Sequence, residues 1–463
     1  MATWNPTKRR LEQASWSAYR YELQDVAEPN LLRDIFPYEA VPKVIFDGAI
    51  EELDPTPEFY ITDTTFRDGQ QARPPYTAKQ IVDLYTLLHR LGGPHGVIRQ
   101  AEFFLYSDLD REAVSNCLAL GYEFPEVTGW IRAVKSDFQL VKEMGLKETG
   151  VLTSCSDYHI FLKLRKTRRQ AYEDYLSIVK TALEAGIKIR CHLEDATRAD
   201  FYGFVVPFVA ELMRVREESG IPIKIRVCDT MGFAVPFPGA ALPRSVPKLI
   251  QGLRRECGVP SECLEWHGHN DFHKVLVNAS TAWLYGCMYA NGTLLGYGER
   301  TGNPPLEGLV MDYLSLTGDS NGMDTSVITE IAHYFEREIG YRIPPNYPFV
   351  GQDFNVTRAG IHADGLLKDE EIYNVFNTTK ILARPPRVAV DKTSGTAGVS
   401  WWINSYFSLP ATQRVDKKSS AVRKITEWVD AQYQHERTTS ISDEEMLAQV
   451  RLHLPQLSGA LSQ

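Results

Sequence analysis

Between residues 59 and 318 short β-branched runs alternate with amphipathic helical stretches, and the alternation repeats eight times. The strand-like runs are residues 59–66, 96–106, 123–131, 149–155, 187–193, 221–229, 264–269 and 288–298. Each leads into a helical pattern. The clearest is TAKQIVDLYTLLHRLGG, with Thr77 placed to cap its start and Gly92 to stop it. DLDREAVSNCLALG, RRQAYEDYLSIVKTALEAG, VVPFVAELMRVREESG and PLEGLVMDYLSLTG likewise close on glycine. This repeat and its length match an α/β fold of the (β/α)8 TIM-barrel type. A doubly wound open sheet fits less well, because the count is eight and no GxGxxG follows the first strand.

The barrel is expected over 59–318, with an N-terminal extension at 1–58 and a mainly helical C-terminal subdomain at 319–463. The extension reads as partly helical and proline-punctuated, packed on the barrel or on a neighbouring subunit. From 319 a Gly/Asp/Asn-rich link leads into SVITEIAHYFEREIG, a proline-rich connector, and helices that are polar on one face. Lys+Arg 50 against Asp+Glu 59 gives a net charge of −9, so no basic surface advertises a nucleic-acid partner. No run approaches the roughly 18 apolar residues of a membrane helix, and the start lacks a signal-peptide core; a cytoplasmic protein without membrane contact is expected. The seven cysteines are scattered without a CxxC pair and read as reduced, mostly buried thiols.

Because such barrels hold their active sites at the carboxyl ends of the strands, polar residues there become the candidates. The first strand ends in DTTFRDGQQ, which brings Asp63, Arg67, Asp68 and Gln71 to the rim. The seventh ends in WHGHND, where His267 and His269 alternate on a strand and so share a face, a common metal-binding geometry. Strands 1 and 7 are both odd and contribute to shared interior layers, so Asp68 is expected to face the histidines. Two imidazoles and a carboxylate leave about three positions of an octahedron open, enough for a substrate that chelates through a keto oxygen and its neighbouring carboxylate. Alternatively, the histidines are rim groups bonded to Asp271 or a carbonyl. Strand 5 adds Glu194, Asp195 and Arg198, strand 6 Asp229 and Thr230, and strand 8 Glu299, Arg300 and Asn303. Asp195 and Asp229 read equally well as caps.

The blocks DTTFRDGQQ, HGHND and GERTGNPPLEG resemble the signatures of the metal-dependent acyl-CoA Claisen condensation enzymes. This is the DRE-TIM metallolyase group of 2-isopropylmalate, homocitrate and citramalate synthases, and the resemblance runs over about residues 59–400. EFPEVTGWIRA, TSCSDYHIFLKLRKTR, RCHLEDATRADFYGFVVPF and NASTAWLYG look most like the branch whose acceptor is oxaloacetate, attacked on its Re face. The resemblance implies an acyltransferase using acetyl-CoA and oxaloacetate. It also implies a divalent metal held by Asp68, His267 and His269, manganese first, with magnesium, cobalt or zinc as alternatives. Arg67 would lie beside the reacting keto oxygen, Glu194 would line the pocket and help His362 and Tyr373 in removing the methyl proton, and Gln71, Thr230 and Asn303 would serve the substrate pocket. His362 in GIHADG and Tyr373 in EEIYNVF match a catalytic pair that the family takes from a segment after the barrel, often across a homodimer. On that footing 319–463 is a helical lid and dimerisation region.

The distal carboxylate of oxaloacetate requires a cation or several donors, and Arg132, Arg165, Arg198 and His159 are the candidates. Too few residues follow DKTSGTAGV (391–399) for a leucine-binding regulatory domain, so leucine feedback is not expected. Homocitrate synthases commonly carry Glu where Asp68 stands, and most relatives lack so long an N-terminal extension. Other readings are a synthase for another 2-oxo acid, a lyase related to hydroxymethylglutaryl-CoA lyase, and a catalytically silent barrel acting as a scaffold.

Overall fold

The computed structural model describes residues 2–5, 10–13, 21–434 and 436–458. Eight parallel strands close into a barrel in sequence order: β1 Tyr60–Asp63, β2 Ile98–Phe104, β3 Glu126–Ile131, β4 Glu148–Ser154, β5 Lys188–Glu194, β6 Ile223–Asp229, β7 Leu264–Gly268 and β8 Tyr289–Gly292. Closure comes from β8, which pairs with β7 through Glu265↔Tyr289 and with β1 through Tyr289↔Tyr60 to Gly292↔Asp63. The TIM-barrel expectation therefore holds. The last strand is shorter than its apolar run, since Leu294–Gly296 already turns away from the sheet.

The helices between strands are α1 Ala78–Gly92, α2 Asp108–Ala119, α3 Phe138–Glu143, α4 Arg168–Glu184, α5 Val206–Ser219, α6 Val246–Cys257, α7 Val275–Leu284 and α8 Leu306–Thr317. Thr77 caps α1, accepting from the Gln80 amide, and Gln80 answers by accepting from the Thr77 amide. Gly92 is the last helical residue. The stop falls one position on, at Gly93 with φ +68°, where a Cβ would sit 2.4 Å from the Gly322 carbonyl oxygen.

Strand parity sorts the barrel into two environments. Ile61, Phe103, Ile131, Val151, Leu193, Val227 and Trp266 are buried and apolar, forming the layer under the helices. Their alternates point into the lumen, where those of its lower layers are mostly polar. Residues on non-adjacent strands meet there: Glu102 of β2 accepts from Arg190 of β5 at 2.8 Å and Arg226 of β6 at 2.9 Å. Arg226 also pairs with Glu265 at 2.7 Å, and Lys224 with Glu148 at 3.0 Å. Burial opposes ionisation of these carboxyls, but Arg226, ahead of other cations, holds Glu102 well below the carboxylate range and Glu265 at about 2. A buried charge is tolerable only when paired, and this floor pairs them.

Contacts divide the chain into two units, Met1–Asp324 and Thr325–Gln463. In the first, residues 21–58 run over the barrel helices without forming a helix, contrary to the partly helical expectation. Five prolines between 29 and 57 remove amide donors and hold the chain extended. Arg244 donates to the carbonyls of Pro42 and Lys43, Arg254 pairs with Asp54 at 2.6 Å and Arg255 with Glu51 at 2.6 Å. Residues 1, 6–9 and 14–20 of the extension lie outside the described residues.

The second unit is mainly helical. Its chief helices are α9 Val327–Tyr334, α10 Gly360–Lys368, α11 Thr378–Leu382, α12 Gly395–Tyr406, α13 Ser420–Gln432 and α14 Asp443–His453, with a short parallel pair, Val356–Thr357 and Arg387–Val388. Its core joins Val399, Trp402 and Ile403 of α12 to Val422, Ile425 and Val429 of α13 and to Met446 and Val450 of α14. The seven cysteines are all free and buried.

Candidate active site

Asp68 stands on a wide turn, Thr65–Gly69, that begins directly after β1 and closes with the Gly69 amide on the Thr64 carbonyl at 3.1 Å. Asp63 braces this turn by accepting from the Thr65 amide at 3.1 Å and hydroxyl at 2.5 Å, so it acts as a local cap. Across the mouth, His267 is the penultimate residue of β7 and His269 directly follows the strand. The Nε2 atoms of His267 and His269 lie 3.8 and 3.6 Å from Asp68 Oδ2. All three side chains are buried, and one ligand atom from each lies within 4.8 Å of the others.

The surroundings prepare these atoms to act as donors. Burial pushes His267 down to about 4, although Asp68 works in the opposite direction, and burial also lowers His269. A neutral imidazole has a lone pair to give. His267 Nδ1 lies 2.7 Å from Asn291 Oδ1, and Asn291 Nδ2 donates to Thr62 Oγ1 at 2.9 Å, which leaves Nε2 facing Asp68. Burial works against ionisation of Asp68 as well. The Arg67 guanidinium beside it, with the histidines and the Asn303 amide, nevertheless holds it far below the carboxylate range. Neutral nitrogens and one carboxylate form a donor set suited to a divalent cation.

Arg67 donates to Asp68 Oδ1 at 2.5 Å and lies with its guanidinium 4.6 Å from the ring centre of Trp130. Asn303 donates to Asp68 Oδ2 at 2.8 Å and to the Gly268 carbonyl at 3.2 Å. Gly298 makes room for it, since a Cβ there would lie 1.9 Å from Asn303 Oδ1. The adjoining loop is anchored by Arg300, which forks onto Asp271 at 2.9 and 3.2 Å. Gln71 is exposed and borders a depression with Tyr297, Glu299 and Arg300.

A second cluster gathers at the ends of β4 and β5. Glu194 pairs with His159 Nδ1 at 2.9 Å and Lys163 Nζ at 3.0 Å, and accepts from Ser154. Burial raises its carboxyl, yet His159, Ser154 and Lys163 bring it down to about 2. Thr230 accepts from the Asp195 amide at 2.8 Å, and Asp195 takes Arg198 on both oxygens at 3.0 Å. Asp229 is occupied by Thr197 and the amides of Phe233 and Ala234, and Asp195 also accepts from Ser156, so these two aspartates tie the loops at the strand ends together. Arg132 forks onto Asp137 at 2.9 and 3.0 Å, with its side chain 63% exposed. Arg165 is exposed and has a left-handed φ of 54°. His362 and Tyr373 belong to the second unit, where their ring centres lie 4.3 Å apart.

Asn291, Trp130, Glu102 and Lys163 escaped the sequence reading. Asn291 lies two positions after Tyr289 and Trp130 two after Thr128, so strand parity was the available signal, and it speaks only once the barrel is closed.

Residues 58–334 match the HMGL-like family. The citrate (Re)-synthase of Syntrophus aciditrophicus (strain SB) is 61% identical over 99% of this chain and 73% of its own length. The citrate (Re)-synthase of Clostridium kluyveri is 55% identical over 95% of this chain and 97% of its own. The 2-phosphinomethylmalate synthase of Streptomyces hygroscopicus is 36% identical over 92% and 96%. Among solved structures, the HMG-CoA lyase of Bacillus subtilis aligns with a TM-score of 0.50 at 19% identity, covering 63% of this chain and 96% of that one, a likeness of fold.

Proposed function

This chain belongs to the HMGL-like family, and we propose that it joins acetyl-CoA to the Re face of oxaloacetate and hydrolyses the thioester formed, releasing citrate and CoA. The observation that carries the reading is the buried meeting of Asp68, His267 and His269, with Arg67 paired to Asp68 at 2.5 Å. When bound there, a divalent ion would act as a Lewis acid on the acceptor carbonyl; manganese is our first assignment, ahead of magnesium, cobalt or zinc.

The chain's own residues perform the rest. Asp68, His267 and His269 would hold the ion, and Asn303 steadies Asp68 from behind. Arg67 has its Nε buried without an acceptor, a donor for the oxygen that gains charge as the carbon–carbon bond forms. Glu194, at about 2, is a weak base and orients rather than accepts protons. We assign removal of the acetyl-CoA methyl proton to His362, as the resemblance to the family implies, with Tyr373 packed against its ring. The resulting carbanion attacks the keto carbon, and the keto oxygen ends as a hydroxyl. Water then cleaves the thioester, which separates CoA as a thiol and draws the condensation forward. We assign Gln71, Thr230 and His159 to the acceptor pocket, whereas Arg132, expected there, is committed to Asp137. We further assign the protein to the cytoplasm as a homodimer.

The test is thiol release from acetyl-CoA with oxaloacetate, pyruvate, 2-oxoglutarate or 2-oxoisovalerate. Oxaloacetate is expected to be preferred, and a clear preference for another acceptor overturns the assignment. Labelled acetyl-CoA then reports, through the citrate arm that carries the label, which face was attacked. Absence of turnover with any acceptor and any divalent metal would favour a scaffold.

A further inference from the structure

Oxaloacetate differs from the simplest 2-oxo acids by a second carboxylate, one methylene beyond the keto carbon. A site that selects it must meet that group with donors close to the metal-ligating trio, because an unpaired buried carboxylate is costly. The cations of the barrel mouth are otherwise engaged. Arg132 is forked onto Asp137, Arg198 onto Asp195, and Lys163 and His159 both serve Glu194. Arg165 is exposed, where water screens its charge.

Trp130 differs from these. It is the penultimate residue of β3, on the inner face, is 8% exposed, and its Nε1 is buried with no hydrogen-bond acceptor. Phe104 of β2 packs against it edge-on, with centroids 5.5 Å apart at 86°. The Arg67 guanidinium lies 4.6 Å from its ring centre, and that same guanidinium reaches Asp68. Trp130 is thus linked to Asp68 through one intervening side chain, Arg67.

We propose that the Trp130 indole N–H, beside Arg67, binds the distal carboxylate of the acceptor and so selects oxaloacetate over shorter or apolar 2-oxo acids. The inference rests on the acceptor assignment made above and names the residue that enforces it. An N–H presented to an acceptor lacking the carboxylate stays unpaired in a dry site, and a site built this way rejects such analogues far more strongly than one selecting by size. Stacking under Arg67 also fixes the indole plane, so the donor is oriented before substrate arrives.

The experiment compares the holoenzyme with Trp130→Phe, which keeps a ring under Arg67 but removes the donor, and Trp130→His, which restores a ring N–H. Trp130→Phe should raise KM for oxaloacetate tenfold or more, with KM for acetyl-CoA and the thermal midpoint unchanged. The inhibition constant of pyruvate, which keeps the 2-oxo acid head, should not move, and Trp130→His should recover part of the loss. In the wild-type protein, the indole 15N–H resonance absent from Trp130→Phe should shift on adding oxaloacetate and stay in place on adding pyruvate. An unchanged KM, an unmoved resonance, or equal weakening of oxaloacetate and pyruvate would overturn the proposal. Failure of the wild type to condense oxaloacetate is a separate result that removes the acceptor assignment, and this inference with it.

Discussion

His267 Nδ1 lies 2.7 Å from the side-chain oxygen of Asn291, and that contact decides which ring nitrogen remains for a cation. Asn291 is itself oriented, since its amide nitrogen donates to Thr62 Oγ1 at 2.9 Å. The two bonds lock the tautomer that presents Nε2 toward Asp68.

Asn291→Ala should therefore weaken manganese binding about 10–100-fold, the usual effect of removing a partner behind a metal-ligating histidine. Calorimetric titration of the metal-free protein measures this. Unchanged affinity would remove Asn291 from the support of the site.

Asp68→Ala should abolish retention of metal after desalting, by elemental analysis, together with thiol release. It also leaves Arg67 buried beside Trp130 without its 2.5 Å partner, so urea unfolding should show a loss of about 3 kcal/mol. Chelation of the wild type should stop turnover without that stability loss, and manganese should restore it. Normal metal content in Asp68→Ala would exclude this residue as a ligand.

Burial depresses His267 to about 4, against an unfolded value of about 6.5. Between these values the unfolded chain holds the proton and the folded chain does not, so stability rises with pH across the window. The contribution is fully present above about pH 6.5 and is lost as pH falls toward 4, up to about 3 kcal/mol in the metal-free protein. Glu194, held down to about 2, is a depressed carboxyl whose contribution is lost only below about pH 4.5. His267→Gln should flatten the stability profile between pH 4.5 and 6.5. An identical slope in wild type and variant would show that this histidine is not the cause.

A Cβ at Gly150 would lie 2.5 Å from His192 Nε2 and 2.9 Å from Glu102 Oε1, inside the ionic floor of the barrel. Gly150→Ala should cost about 1–3 kcal/mol by urea unfolding, because a paired network cannot yield without uncovering charge. It should also slow turnover, since Glu102 lies 3.9 Å from Arg67 Nε. A neutral outcome would mean that the floor has slack.

Much of this molecule was legible from local pattern. Eight strand–helix units announced a barrel because periodicity is carried by each segment alone. His267 and His269 declared a shared face because a strand alternates with a period of two. The resemblance of three blocks added a chemistry that periodicity could not supply. The N-terminal extension misled, because it read as partly helical while residues 21–58 follow an extended, proline-rich path pinned by Arg244, Arg254 and Arg255.

The sequence by itself determined the number of strands, the rim on which chemistry gathers, and the residue types offered there, since these depend on spacings of a few residues. Tertiary structure alone decided the pairings. It set Asp68 3.6 Å from His269, placed Trp130 under Arg67, turned Asn291 onto His267, and assigned Arg132, Arg198 and Lys163 to carboxylates other than a substrate's. Those contacts join residues distant in the chain across a closed lumen. Their distances follow from the closure of the barrel and the packing of its interior, which no single segment encodes.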